Sequence, residues 1–155
     1  MFRHSSLRAV FWSLTMCLLL AAPALAQKKG GKTSSIPVEI TILNVTKKDA
    51  MAKPAPDGAG RVIPVEVQWK AEGEARLVNL EAVLKTSNTD GSTSEVKMML
   101  NEKATQGMLM LKMPNGVFAR EYTLTLLGKC IWDGGQGTSR ANKSGAFPLP
   151  PDAKK

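Results

Sequence analysis

Five of the chain's eight methionines fall within sixteen residues, Met98 to Met113, in the stretch MMLNEKATQGMLMLKM. Thioether sulfur is a soft ligand, suited to Cu(I) in an oxidising compartment. Segments 94–101 and 107–113 flank EKATQ and read as the two arms of a hairpin. Side chains alternate along a strand with period 2. Val96, Met98, Leu100, Leu109, Leu111 and Met113 then share one face, expected to lie in the core, where methionine serves as a flexible filler. Met99, Met108 and Met110 take the other face, beside Lys97 and Lys112. Met99, Met108 and Met110 are therefore the metal candidates, for Cu(I). With Lys97 and Lys112 they are also the candidates for contact with a partner, since exposed apolar clusters mark contact surfaces. The two lysines would repel a cation, so packing or partner contact is the preferred reading, and no cofactor is expected.

Other chemistry is thin. The only histidine, His4, lies near the start of the sequence, ahead of a long apolar run. Beyond that run, Ser-His-Asp and Cys-His catalysis within one chain and histidine-based zinc sites have no residue to use. Ser94 and Lys97 match an S-x-x-K pattern, which works when a helix sets the lysine one turn behind the serine. In a strand, residues three apart point to opposite faces, so the match reads as coincidence. Glu72 and Glu74 are the close carboxylate pair that a carboxylate-only hydrolase would need, and they sit in a Gly-containing turn where solvation is the simpler role. Asp57 and Asp133 lie in Gly-rich turns but not in a calcium-loop pattern, which favours Asx-turns. No phosphate loop is present. Asn44 and Asn142 head N-x-[ST] sequons, relevant only in a eukaryotic secretory pathway. The chain is expected not to be an enzyme.

The N-terminus sets the compartment. Arg3 and Arg8 precede an apolar run, residues 9–22, and the small-residue site Ala24-Leu25-Ala26. That order is the grammar of a secretory signal peptide, residues 1–26, cut after Ala26. Fourteen apolar residues fall short of the roughly 20 a bilayer-spanning helix needs, so no transmembrane span is expected after processing. The exported chain would keep 129 residues, a formal charge of +6 in place of +8, and one cysteine, Cys130. A lone cysteine forms no internal disulfide. It is either buried, the preferred reading, or pairs with another chain. The basic residues are dispersed rather than laid along an aromatic-studded face. They fit an anionic surface or an envelope protein as partner, and not nucleic acid.

These residues must be positioned by strands. Period-2 alternation recurs: Val38, Ile40 and Ile42; Val65, Val67 and Trp69; Val78, Leu80, Ala82 and Leu84; Tyr122, Leu124, Leu126, Cys130 and Trp132. Each set opposes a polar face, the mark of antiparallel strands covering one side of a core. PAPDGAG, AEGEA, NTDG and WDGGQG supply turn chemistry between them. Seven strands are expected near 36–45, 62–71, 76–86, 92–101, 107–113, 119–132 and 138–147. The fold class is all-β, an antiparallel two-sheet sandwich. Residues 27–35 read as a flexible leader, 36–149 as the sandwich and 150–155 as a polar tail.

The order of features resembles a fibronectin type III or related immunoglobulin-like domain. Trp69 ends the second strand, where that family places its core tryptophan. Leu111 to Pro114, LKMP, is similar to the family's Leu-x-Pro segment, and Tyr122 looks like its tyrosine-corner residue. WDGGQGTS resembles the turn into the last strand. The resemblance implies an architecture and no activity, because such sandwiches host many functions. The expected function is an exported, non-enzymatic immunoglobulin-like module, periplasmic or extracellular. It would act by contact through the methionine face or by strand addition at a sheet edge. The alternatives are a methionine-based Cu(I) carrier and a carboxylate-only hydrolase.

Overall fold

The structure, a computed structural model, describes residues 38–151. The expected signal peptide and leader, and residues 152–155 of the expected tail, lie outside the described residues. Eight strands follow one another: β1 Val38–Lys47, β2 Lys53–Pro54, β3 Arg61–Gly73, β4 Arg76–Asn88, β5 Thr93–Leu100, β6 Gln106–Met113, β7 Ala119–Trp132 and β8 Gly135–Ala146. All pairings are antiparallel, in two sheets. In sheet A, β1 and β2 share one edge of β3, and β6 takes the other. Sheet B runs β5-β4-β7-β8. The seven expected strands are present, and β2 is additional. Two residues ending in proline carry no alternation from which to read a strand.

Pro64 explains why the first edge of β3 is split. Lys48 N–H donates to the Pro64 carbonyl at 2.9 Å, but proline has no N–H to return. The ladder from β1 therefore stops at Lys47↔Val65. The chain leaves as a short 3-10 turn, Asp49–Met51, and rejoins β3 as β2. A proline in a strand belongs where a neighbouring strand ends, and here it sets where β1 ends.

The core lies between the sheets. Ile63, Val65, Val67 and Trp69 of β3 meet Leu109, Leu111 and Met113 of β6 on one side. Leu80, Ala82 and Leu84 of β4 meet Leu124, Leu126 and Cys130 of β7 on the other, and all of these are buried. Gly107 admits the Trp69 indole: a methyl group there would sit 2.7 Å from Leu100 Cδ2 and 3.4 Å from the ring. Two bulges adjust the expected faces. Leu43 bulges out of β1, so Val45 and Lys47 still point inward. Val78 bulges out of β4, so Leu77 takes the core-facing place opposite Cys130 that alternation assigns to Val78. A bulge inserts one unpaired residue and shifts the pattern beyond it.

The expected hairpin between 94–101 and 107–113 does not form. β5 pairs with β4 in sheet B, and β6 pairs with β3 in sheet A. Residues 101–105 therefore cross from one sheet to the other. Leu100, Leu109, Leu111 and Met113 are buried as expected. Met98 faces inward opposite Ala82 but is 42 % exposed, because β5 is an edge strand and nothing flanks it on its far side among the described residues. Trp132, also expected inside, is exposed at the end of the β7–β8 hairpin, its ring lying over Gly135 and Gly137.

A chain of polar side chains inside the sandwich is paired, although the buried Lys47 Nζ and Arg61 Nε have no hydrogen-bond partner among the described residues. Thr86 Oγ1 donates to Asn88 Oδ1, and Asn88 Nδ2 donates to Ser92 Oγ and Ser94 Oγ, each at 3.0 Å. This network closes the β4–β5 hairpin, whose turn places Gly91 at φ 82°, a conformation open to glycine. Cys130 is free and buried, its sulfur 3.4 Å from Ser139 Oγ.

Candidate contact surface

The methionines are divided by the crossover. Met99 lies on the outer face of sheet B, opposite Glu81, in a shallow depression with Leu127 and Lys129. Met108 and Met110 lie on the outer face of sheet A, opposite Glu66 and Pro64. Lys97 goes with Met99, and Lys112 goes with Met108 and Met110. The five residues expected on one face thus sit on two faces turned away from each other. Alternation correctly made each of them outward-facing. The hairpin assumption put them together wrongly, because period 2 reports a residue's face and not which strand lies beside it.

Sheet A carries the better-formed surface. Met108 and Met110 line a groove of about 420 Å³. Its floor is Val62 and Pro64 of β3. Its far wall is Met51 from the 3-10 turn, with Lys53 and Pro54 of β2 and Pro56 beyond. The lining is almost wholly apolar, with Lys53 the one charged side chain. Met51 and Met110 are 55 % and 52 % exposed. The groove exists because β1 breaks off at Pro64: the chain that detours through Asp49–Met51 and returns as β2 raises a wall along the sheet. Two ion pairs frame it. Lys48 Nζ holds Glu66 at 2.8 Å, and Lys112 is paired with Asp57. The Lys48 ammonium, and then the Gln68 amide, hold the Glu66 carboxyl below its ordinary range. Lys112, and then the Ala59 N–H, do the same for Asp57. Asp57 accepts from Ala59 N–H at 3.1 Å, the Asx-turn expected of it.

The outer face of sheet B is polar at its Lys85–Ser144 end, away from Met99 and Leu127. A shallow basin of about 770 Å³ is lined by Lys85, Ser87, Glu95, Glu121, Thr123 and Ser144, among others. Lys85 Nζ lies 3.1 Å from Glu95. That contact, reinforced by Lys97 at 3.5 Å, lowers the Glu95 pKa. The general acid of a carboxylate pair needs a raised pKa, and the shift at Glu95 runs the other way. Glu72 is exposed and pairs with Lys70 at 2.5 Å, and Glu74 is exposed on the β3–β4 turn. Ser94 points inward into the Asn88 network while Lys97 points outward to Glu95, so the S-x-x-K pair is split across the sheet. Asn142 Oδ1 accepts from Thr125 Oγ1 at 2.8 Å on sheet B, and Asn44 Nδ2 donates to Thr46 at the β1 bulge. Among the described residues, no group of three or more His, Cys, Asp or Glu is placed to hold a metal ion, and no helix is long and apolar enough to cross a membrane.

Met51, Pro54, Pro56, Val62 and Pro64 belong to this surface and were missed in the sequence. Three prolines within eleven residues, one of them inside an alternating strand, were the available signal. They mark an interrupted edge, and an interrupted edge beside two outward methionines makes a groove. No protein-family model matches the chain, and no curated protein matches it.

Proposed function

We propose that the chain is an exported, non-enzymatic immunoglobulin-like module of the cell envelope that works by contact, through the sheet A groove. The observation that carries this is the groove itself: a concave, almost wholly apolar surface rimmed by ion pairs, the pattern of an interaction site. The strand order supports the immunoglobulin-like reading. β1, β3 and β6 correspond to A, B and E. β4, β7 and β8 correspond to C, F and G, with β5 beside β4 as C′. Trp69 is 1 % exposed in the core. Tyr122 takes the place of the corner tyrosine, although its ring is held by stacking on Phe147 at 4.6 Å and its hydroxyl lies over Gly145. Export rests on the basic, apolar and small-residue order of residues 1–26. The test is site-directed crosslinking in the native host from Met110 and, as control, from Thr125 on the outer face of sheet B. A discrete adduct from Met110 alone supports the reading, and equal or absent adducts remove it.

One observation favours a second reading. Met51, Met108 and Met110 give the groove three thioethers, so a Cu(I) carrier would use Met51 in place of Met99. Lys53 in the same groove opposes a cation. Titration of Cu(I) against a competing chelator separates the two: binding lost on Met51→Leu plus Met108→Leu selects the carrier, and no competition selects the contact module.

A further inference from the structure

The two long sides of the sandwich are treated differently. Where β1 and β8 meet, side chains close the edge. Ser139 Oγ donates to the Val38 carbonyl, and Lys143 Nζ donates to the Leu43 carbonyl at 2.7 Å. Proteins guard strand edges in this way against unwanted pairing. The β5 edge of sheet B has no such cover among the described residues. Asn88 N–H donates to the Ser92 carbonyl at 2.9 Å, which fixes the direction of the backbone groups along β5. Even-numbered residues pair with β4. Thr93, Glu95, Lys97 and Met99 turn their N–H and C=O groups outward, to the free edge.

We propose that a second copy of this chain adds to the β5 edge, antiparallel about a twofold axis at Val96, joining two four-stranded sheets into one of eight. The sequence around Val96 is self-complementary in that register. Glu95 stands opposite the partner's Lys97, and Lys97 stands opposite the partner's Glu95, each a hydrogen-bonded pair built from outward-pointing backbone groups. Thr93 and Met99 pair in the same way at the ends. On the inner face Met98, 42 % exposed, meets the partner's Ser94. The neighbouring registers are self-defeating. Moving the axis to Glu95 sets that carboxylate against its own copy, and moving it to Lys97 does the same with two ammonium groups. Like charges directly opposite each other destabilise a strand pair. A twofold contact must be self-complementary, and β5 meets that condition in one register of the three. Lys85, which already holds Glu95 from the β4 side, would extend the alternating row of charges across the joined sheets.

Sedimentation equilibrium of the purified protein tests this. The protein is expected to show a concentration-dependent dimer. Glu95→Lys and Lys97→Glu should each weaken association by about tenfold or more, since both symmetry-related pairs turn repulsive. The double variant, with both charges exchanged, should restore it. Val96→Cys should form a disulfide-linked dimer under mild oxidation, because the axis brings the two Cβ atoms near disulfide range. Cys130 is buried and does not compete. Circular dichroism confirms that each variant folds, and Val96→Cys gives an independent reading if a charge variant does not. A monomer at all concentrations, a double variant no better than the single ones, or a Val96→Cys protein that stays unlinked would each overturn the proposal.

Discussion

Ser94 Oγ lies 3.8 Å from the sulfur of Met113, so β5 and β6 face each other across the core instead of lying side by side. Methionines that alternation places together therefore differ in energy. Met113 is fully buried and Met98 is 42 % exposed on an edge. Met113→Ala is expected to cost about 2–5 kcal/mol, the range for deleting a buried side chain. Met98→Ala is expected to cost less than about 1 kcal/mol. Urea unfolding of both variants checks the difference, and equal costs would contradict the crossover.

Gly60 is held where no other residue fits. Its φ is 120°, and a methyl group there would sit 2.2 Å from the Met113 carbonyl oxygen. The obstacle is backbone, which cannot rotate away. Gly60→Ala is expected to cost about 1–3 kcal/mol from conformational strain alone, with the clash added. Gly58→Ala, at φ 71° with open space around it, bears the strain without the clash and should cost less. Thermal melting of the pair measures this directly.

Acid should weaken the fold. Asp57, Glu66, Asp90 and Glu95 all titrate below their ordinary values of 3.8 for Asp and 4.5 for Glu, each chiefly through a hydrogen bond: from Lys112, Lys48, Ser92 and Lys85 respectively. A depressed folded-state pKa means the unfolded chain binds protons first. The stability these groups contribute is complete above the ordinary values and is lost as pH falls through them and down through the folded values. All four carboxylates are solvated, so the effect is modest and salt-dependent. The melting temperature should be level from pH 7 to 5, then decline below pH 4.5, less steeply for Asp90→Asn. A melting temperature that rises on acidification would contradict these pairings.

Cys130 should be silent in the folded protein. It is fully buried against Ser139, so an aromatic disulfide reagent should not label it until the chain unfolds. Rapid labelling of the native protein would mean that the β7–β8 hairpin opens.

The faces of the strands were legible in the sequence; their neighbours were not. Val65, Val67, Trp69, Leu124 and Leu126 alternate against polar residues and are buried as the alternation requires. Where a bulge adds a residue, as at Leu43 and Val78, the pattern shifts without any local sign. The candidate site suffered from a different gap. Whether residues 101–105 turn back on themselves or cross to the other sheet is decided by what β4 and β3 offer at their edges, a long-range matter. Consecutive strands are neighbours only about two-thirds of the time. Thr93–Leu100 did hold a hint: its mixed inner face, with Ser94 beside Val96 and Met98, suits a strand at an edge.

We propose that the groove beside Pro64 is where this protein meets its partner. A photo-crosslinking residue at Met110, activated in the native host, tests it most directly. One discrete adduct is expected from Met110, lost when Met108→Asp is added while the melting temperature stays within a few degrees of the parent. No adduct at Met110, or an equal adduct from Thr125 on the outer face of sheet B, would contradict it.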